Sequence, residues 1–259
     1  MVNYVFSIET FEYFLVIFVR MATFVFIAPF FGMSNTPARV KVGFSLVVSI
    51  VLFQVLPVKE LNYNTAIEYG VIVLKEGITG LLIGYAASIC NSIVIFAGKI
   101  IDMDMGLSMA TLFDPVTKEQ TSITGNLYSY FVLMMLIVSN MHHYILRALV
   151  DSYQLIPVDG LNINVDKMYS NFSTFMIDFI VIGFRIALPV FACILIMNVI
   201  LGILAKVAPQ LNMFAVGIQM KIMVGLMVLF LTIGLLPSIS NFIFEEIKKM
   251  IILFIEGMH

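Results

Sequence analysis

Long apolar runs separated by short polar segments dominate the chain from end to end. Six stretches are strongly apolar, at approximately residues 11–31, 40–55, 67–98, 127–150, 175–204 and 214–236. Most of them reach the ~20 residues that a helix needs to cross a hydrocarbon core. The stretch at 40–55 is short, and the stretch at 67–98 is long for a single span. The pattern predicts an all-α membrane protein built from helical hairpins.

Polar signals mark several helix boundaries. Thr36-Pro37 predicts a helix start, with Thr as the cap and Pro where its missing N–H costs nothing. Asn64-Thr65 before Glu68 predicts a capped start with an acid in the first turn. Pro157 follows an apolar run and predicts its end, and Asp159-Gly160 predicts a turn.

Composition supports a membrane location. Hydrophobic residues make up 61% and charged residues 12% of the 259 residues, and the mean hydropathy is +1.05. Soluble domains usually have about 25% charged residues. With a net charge of −2, nothing in the composition suggests a nucleic-acid partner, which would require a basic face. Cys90 and Cys193 lie inside apolar runs, so we interpret them as small buried hydrophobes rather than as a disulfide or metal site.

Charged residues inside the apolar stretches point to neighbours other than lipid. A charge at mid-bilayer costs at least about 2.5–3.5 kcal/mol unless it is paired or hydrated. We therefore expect the helices that carry these charges to pack against protein or to line water; the residues concerned are Arg20, Asp178, Arg185 and Lys221.

Small residues recur at helical spacing in the third stretch. Gly80 and Gly84, with Gly77 before them, form a small-xxx-small pattern that lets two helix backbones approach closely. We assign these glycines to packing between subunits. The pattern carries no information about chemistry.

The segment from Gly98 to Pro115 has an unusual mixture of acids and methionines. Asp102 and Asp104 form an Asp-x-Asp pair of the kind that holds a divalent metal in intramembrane lipid transferases. Such sites need further carboxylates at helical spacing, whereas the neighbours here are Met103, Met105 and Met109. Methionine is unbranched and polarizable, so it can seal around changing partners. With the polar residues 116–125 that follow, the segment has the features of a movable gate or of an ordinary loop with core methionines.

A second polar segment separates the last two apolar stretches. Lys206 favours a helix C-terminus, and Pro209 predicts a turn, so residues 175–236 form a predicted helical hairpin. Its tip is rich in amides, including Gln210 and Asn212.

That tip resembles the signature of the FliR family of bacterial export proteins, through Gly202-x-x-Ala205-Lys206-x-Ala208-Pro209-Gln210-x-Asn212-x-Phe214-x-x-Gly217. Further matches follow the order of the chain over nearly its whole length. They are Arg20 with Ala28-Pro29, Pro37 to Lys41, Glu76 with Gly80 and Gly84, Asp104-Met105-Gly106 with Asp114-Pro115, and Asp151-Ser152-Tyr153 before Pro157.

The resemblance implies a fold and a function. Residues 1–172 would be a FliP-like helical part that includes a plug loop, and residues 173–259 a FliQ-like helical hairpin. The chain would be a core subunit of the flagellar type III export gate, assembled with FliP and FliQ and contacted by FlhB. This gate in the bacterial inner membrane, at the flagellar basal body, passes unfolded flagellar proteins. It requires no cofactor and catalyses no reaction.

The resemblance also implies a plug that closes the passage at rest. It falls at residues 112–125, here called the plug segment, with the three methionines nearby. The residues that we expect to form the gate are Met103, Met105, Met109, Phe113, Asp114, Pro115 and Lys118.

Two other classes remain as alternatives. A secondary transporter requires a paired, buried ion site near the middle of the membrane. An intramembrane lipid-modifying enzyme requires Asp102 and Asp104 for turnover. The export gate differs from both because it requires stoichiometric membrane partners.

Overall fold

The computed structural model describes residues 8–33, 36–56, 61, 63–108, 122–210 and 212–258. Within these ranges the chain is helical and contains no strand, which confirms the all-α prediction. The helices are α1 (Ile8–Ile27), α2 (Ala38–Val55), α3 (Ala66–Met105), α4 (Ile123–Val138), α5 (Met141–Leu155), α6 (Val165–Val207), α7 (Met213–Thr232) and α8 (Leu236–Gly257). A short 3₁₀ turn, Ile233–Leu235, joins α7 to α8.

Most predicted boundaries are confirmed. The Thr65 hydroxyl accepts a hydrogen bond from the Glu68 N–H at 3.3 Å, and the Glu68 carboxylate accepts one from the Asn64 N–H at 2.6 Å. The predicted Thr36 cap is wrong, because Pro37 itself occupies the N-cap position and makes no side-chain bond. Proline at this position fixes the backbone for the helix without a hydroxyl acceptor.

Two features of the helical pattern were not predicted. The stretch at 127–150 is broken at Ser139-Asn140, between α4 and α5. Asn140 adopts a left-handed conformation (φ +57°), which Asn tolerates better than most residues. The helix α8 continues to Gly257, past the predicted end of the last apolar stretch. The charged residues of α8 interrupt the apolar pattern in the sequence, but the helix has a buried apolar face. This face is formed by Ile243, Ile247, Met250, Ile251 and Phe254.

The chain divides into two compact units. The first comprises residues 1–89, 140–175 and 245–259, and the second comprises residues 90–139 and 176–244. The helices α3, α6 and α8 supply residues to both. The predicted division near residue 172 concerns likeness to FliP and FliQ rather than compactness, and it stays a prediction.

A buried ion pair organises the first unit. Arg20 of α1 and Glu76 of α3 form two hydrogen bonds, Nε to Oε2 at 2.5 Å and Nη2 to Oε1 at 2.8 Å, and both side chains are fully buried. The same guanidinium donates to the Ile156 carbonyl at 3.0 and 3.1 Å and lies 4.0 Å over the Tyr153 ring. The pair therefore joins α1, α3 and the end of α5, and it explains why two charges stand in apolar stretches.

The glycine stripe of α3 packs against α1. A Cβ on Gly80 would collide with the Arg20 carbonyl and the Thr23 hydroxyl, and a Cβ on Gly84 would lie 3.0 Å from the Phe24 carbonyl. The close helix approach predicted from this stripe is present. Its partner is a helix of the same chain, because α1 covers Gly80 and Gly84 completely, so the assignment of these two glycines to a subunit contact is corrected. Gly77 is only in ordinary contact with α1, and its role between subunits stays a prediction.

The helix α2 has its polar face inside and its apolar face outside. Lys41, Ser45 and Ser49 are buried, and the Lys41 ammonium donates to the Gly32 carbonyl at 3.0 Å. The opposite face is exposed and apolar, with Val40, Leu46, Val47, Val51 and Val55. This arrangement suits a helix whose outer surroundings are lipid or apolar protein.

Five helical segments of the described chain are long and apolar enough to cross a membrane, and the bent α4–α5 pair adds a sixth. The segments are Ile8–Ile27, Ala38–Val55, Ala66–Met105, Val165–Val207 and Phe214–Gly257. The six predicted stretches correspond to these segments. The chain is an all-α membrane protein.

Replacement of Gly80 by leucine tests the α1–α3 contact. The new side chain would meet backbone atoms of α1, and overpacking of this kind typically costs about 1–3 kcal/mol. We expect a marked loss of folded protein after detergent extraction, measured by fluorescence-detected size exclusion over a temperature series. Gly70→Leu is the matched control, because Gly70 lies on the same helix and a Cβ there would have no atom within 4 Å. Equal recovery of both variants would contradict the assigned contact.

Replacement of Glu76 by glutamine tests the buried ion pair. Loss of one partner leaves the Arg20 guanidinium buried without a counter-charge, which typically costs about 3–5 kcal/mol. The neighbouring variant Lys75→Gln breaks a partly exposed pair with Asp159 (2.7 Å) and should cost at most about 1 kcal/mol. The midpoint of thermal unfolding should therefore fall far more for Glu76→Gln than for Lys75→Gln. A similar fall for both would show that the buried pair does not organise this unit.

Candidate functional site at the α3–α4 stem

The helices α3 and α4, which precede and follow the polar loop predicted from the sequence, are in tight contact within the second unit. Asp102, on the last turns of α3, is buried and accepts hydrogen bonds from the Ser122 hydroxyl at 2.7 Å and the Thr124 hydroxyl at 2.5 Å. The Thr124 N–H lies 3.3 Å from both carboxylate oxygens. We call this contact, together with that of Gly98 and Gly125, the α3–α4 stem.

The Asp102 carboxylate stands where the start of α4 needs an anion. The first N–H groups of a helix have no partner inside the helix, and the helix dipole favours negative charge there. The Ser122 hydroxyl donates to Asp102 and accepts from the Gly125 N–H at 2.8 Å, so it also caps α4. One acid on α3 thus completes the N-terminus of α4.

One turn before Asp102 on α3, glycines allow the backbones of α3 and α4 to touch. A Cβ on Gly98 would collide with the backbone of Gly125, and a Cβ on Gly125 would lie 2.9 Å from the Ile95 carbonyl. Gly98 and Asp102 are four residues apart and share one face of α3. The stem therefore combines a backbone contact with an ionic cap on the same face.

The predicted gate residues divide between described and undescribed parts of the chain. Met103 and Met105 lie on the last turn of α3, whereas Met109, Phe113, Asp114, Pro115 and Lys118 lie outside the described residues. Met105 is fully buried, and its terminal atoms cover Gly225 of α7. Met103 is 72% exposed. Of the two predicted gate methionines that the structure describes, Met103 is exposed and Met105 is not.

The plug segment was predicted to run to Gly125. The structure places its last four residues in the cap and first turn of α4, with Ser122 as the N-cap. This end of the segment is therefore held to α3 by the Asp102 carboxylate.

The two aspartates have different environments. The Asp102 carboxylate accepts hydrogen bonds from the Ser122 and Thr124 hydroxyls. Asp104 is half-buried and lies near the charge of Lys221 on α7. In the described part of the chain, no three His, Cys, Asp or Glu side chains converge as metal ligands would. The geometry assigns Asp102 to the stem.

The predicted hairpin tip has the expected form. The helix α6 ends at Val207 with Lys206 in its last turn, and Pro209 and Gln210 form the turn. The Asn212 side chain accepts a hydrogen bond from the Ala215 N–H at 3.4 Å and caps α7. Lys206, Pro209, Gln210 and Asn212 are all exposed, and what they contact outside this chain stays a prediction.

Sequence reasoning missed the partners of Asp102 and of Arg20. A signal existed for the first, because Ser122-x-Thr124 directly before an apolar run is a typical helix start. The position of Asp102, one turn after Gly98 on α3, gave no comparable signal. The Arg20–Glu76 pair joins residues 56 positions apart, and their spacing alone does not reveal that they meet.

Comparison with known proteins shows the family of this chain. The family model for bacterial export proteins, family 1, matches residues 11–247. The chain is 32% identical over 241 residues to the flagellar biosynthetic protein FliR of Bacillus subtilis (strain 168), covering 92% of each chain. It is 25% identical over 232 residues to FliR of Escherichia coli (strain K12), covering 90% of this chain and 88% of that protein. It is 26% identical over 241 residues to FliR of Aquifex aeolicus (strain VF5), covering 92% of each. A match over nearly the whole length, to the family model and to FliR from such different bacteria, shows that the chain belongs to the bacterial export proteins, family 1, as a member of the FliR family.

Proposed function

We propose that this chain is a core subunit of the flagellar type III protein export gate. It assembles with FliP, FliQ and FlhB-like subunits in the bacterial inner membrane, at the flagellar basal body. Together they form a gated passage for unfolded flagellar proteins. The likeness to flagellar biosynthetic proteins supports the flagellar assignment, and the surface of the chain supports the need for partners.

The observation that carries the proposal is the length of the exposed apolar surface on α6. This helix has 43 residues and is therefore about 65 Å long. Large apolar side chains are exposed along its whole length, from Val165 (71%) to Val207 (75%), and include Tyr169, Ile177, Val181, Leu188, Ile196 and Ile203. A surface of this length has to be covered by something other than water.

Lipid alone cannot cover it. The hydrocarbon core is about 30 Å thick, and even a tilt of about 40° accommodates only about 40 Å of helix. Roughly a third of the apolar face would remain in water or among headgroups. Neighbouring protein subunits supply the missing cover most simply, because their own apolar helices can pack along the remainder.

Polar groups in the middle of this face also favour protein neighbours. Arg185 is exposed among Val181, Phe184 and Leu188. Pro189, four residues later, has no N–H, so the Arg185 carbonyl lacks its helical donor. A guanidinium and a free carbonyl on one turn are satisfied together by polar side chains of an adjacent helix, as occurs in membrane bundles.

The mechanism is gating without chemistry. In the closed state the plug segment and nearby methionines block ions, and an arriving extended polypeptide displaces them. Exposed Met103 suits such a contact because its flexible, polarizable side chain adapts to different sequences. The energy for transport comes from other parts of the apparatus.

The two alternatives have weaker support. The buried Arg20–Glu76 pair resembles a transporter ion site, but its groups already bond to each other, to Ile156 and to the Asp159 N–H. A lipid-modifying enzyme needs Asp102 for turnover, and that carboxylate caps α4. Neither class explains an apolar surface longer than the membrane is thick.

Loss of the Arg185 charge tests the partner contact. Arg185→Gln should lower the recovery of co-purified membrane partners more than tenfold, because loss of one member of a buried charge pair costs about 2–5 kcal/mol. Recovery would be measured by quantitative mass spectrometry after mild detergent extraction of native membranes. Arg147→Gln is the control, since Arg147 is highly exposed and forms only a 3.9 Å pair with Asp151 on its own helix. Full recovery with Arg185→Gln would place the contact elsewhere.

Deletion of residues 116–121 tests the plug. This deletion stops before Ser122, so the stem stays intact. We expect ion leakage across the membrane to rise severalfold while the subunit still assembles, because the block is removed and the cap of α4 is kept. Conductance of the reconstituted complex in planar bilayers with KCl measures this. Unchanged conductance with normal assembly would rule out residues 116–121 as the seal.

A further inference from the structure

The helix α5 and the last part of α8 are neighbours in the first unit. The Lys248 ammonium lies 5.4 Å from the centre of the Tyr144 ring, within the range of a cation–π contact. An open cleft of about 450 Å³ lies at this junction and is lined by Tyr144 and by side chains of α8 between Glu245 and Glu256. The two helices therefore contribute to one continuous surface of the first unit.

The exposed side chains of this surface are almost all polar. On α5 the exposed residues are spaced by three or four positions and so lie on one side of the helix. They are His143, Arg147, Asp151 and Gln154, followed by Leu155 at the last position. In residues 245–257 of α8 the exposed residues are Glu245, Lys249, Ile252 and Glu256. We call the exposed polar side chains of these two segments the polar wall.

The polar wall requires water next to it. A charged side chain in the hydrocarbon core is costly, and this surface carries several on two adjacent helices. An amphipathic helix can also lie on a membrane with its apolar face in the lipid. That arrangement does not apply here, because the apolar faces are buried in protein through Ile145 and Leu149 of α5 and Ile247 and Met250 of α8. The contrast with the apolar exposed faces of α2 and α6 marks the polar wall as a water-facing surface.

The charges at and beside the polar wall are paired within each helix. Every pair joins residues three or four positions apart on the same helix. The pairs are Arg147 with Asp151 at 3.9 Å, Lys248 with Glu245 at 2.8 Å and Lys249 with Glu246 at 3.8 Å. These pairs cancel in sign, and Glu256 adds one negative charge. The surface is therefore strongly polar but close to neutral.

A balanced surface of this kind suits a transient contact. The centre of a permanent protein interface is depleted of charged residues, and a site for one charged partner presents a patch of the opposite sign. The polar wall has neither feature. An extended chain with charges of both signs can move past it without being held by a net field.

We propose that the polar wall lines the water-filled passage and is a surface along which the unfolded protein slides. The inference rests on the proposed function for the existence of the passage, and on the exposure and pairing of the described side chains for the surface itself. The passing chain is selected by no sequence at this surface. Its charged and polar segments stay hydrated beside side chains that already have partners of their own.

Single cysteines test whether the polar wall faces water. Arg147→Cys, Gln154→Cys and Lys249→Cys change exposed positions, and each chain would be studied in the assembled complex, in opened vesicles of the native membrane. A thiol ionises poorly in apolar surroundings, and the thiolate is the reactive form. We therefore expect a charged, membrane-impermeant maleimide to label the three wall cysteines at least about tenfold faster than a cysteine at a lipid-facing position.

Val47→Cys is the matched control, because Val47 lies on the exposed apolar face of α2. The wild-type chain gives the background from Cys90, which is buried, and Cys193, which is half-buried. Labelling of two or more wall cysteines as slow as that of Val47→Cys would overturn the inference, because the surface would then be covered by protein or lipid.

An arrested chain distinguishes the passage from bulk water. An exported protein fused to a domain that stays folded would stop in the passage and cover its walls. Labelling of the three wall cysteines should then fall severalfold, while labelling of Val47→Cys should not change. With an added oxidant, a cysteine in the arrested chain should also form disulfides with the wall cysteines. Fast labelling that the arrested chain leaves unchanged would overturn the inference, because the surface would face bulk water.

A change in charge balance tests the sliding contact. The double variant Asp151→Lys/Glu256→Lys makes the polar wall basic, whereas the exchange Arg147→Asp/Asp151→Arg keeps both the pair and the balance. We expect export of an acidic protein into inverted membrane vesicles to slow severalfold with the basic variant at low salt and to recover at high salt, where charges are screened. The exchange variant should export at the wild-type rate. Equal rates for both variants at low salt would contradict the sliding contact.

Failure of this inference and failure of the proposed function give different results. If the chain is recovered with membrane partners but the wall cysteines are not protected by the arrested chain, the export-gate subunit stands and the polar wall lies outside the passage. If the wild-type chain has no membrane partners, the proposed function fails, and the inference fails with it.

Discussion

The length of its apolar helices compared with the thickness of a bilayer is the constraint that governs this protein. Helix α6 is about 65 Å long against a hydrocarbon core of about 30 Å, and α3 has 40 residues. Exposed apolar side chains continue along α6 from one end to the other. The proposed need for partner subunits follows from this surface, because lipid can cover only part of an apolar helix of this length. Membership of a family of export proteins gives this physical requirement a biological setting.

The buried charged side chains of the described residues have polar partners inside their own unit. Arg20 and Glu76 satisfy each other in the first unit, with the Ile156 carbonyl as a further acceptor. Asp102 satisfies the start of α4 in the second. In α2 the buried face carries Lys41 and two serines, and the exposed face carries valines and leucine. In a soluble protein the buried face of a helix is apolar and its exposed face is polar; in α2 the two are exchanged. The exposed face of α2 can therefore contact lipid or apolar partner helices.

The sequence predicted the helical class, the spans and the hairpin around Pro209, because apolar length, proline and capping residues act locally. It did not predict the break at Asn140, since a single left-handed residue in an apolar run gives a weak signal. It also missed α8, whose charged residues interrupt the apolar pattern. The partners of Arg20 and Asp102 depend on how distant helices meet, which no local pattern contains. The glycine stripe shows the same limit: close packing was predictable, but its partner α1 was not.

The state of the wild-type chain purified alone tests this account most directly. Size-exclusion chromatography with multi-angle light scattering, in a mild detergent, would compare the chain expressed without other export components with the chain extracted from its native membrane. We predict that the chain expressed alone aggregates or loses its fold, whereas the native extract contains it in a discrete complex larger than one chain. A stable, monodisperse monomer obtained from both sources would contradict the central claim, because it would show that detergent or lipid alone completes the surface.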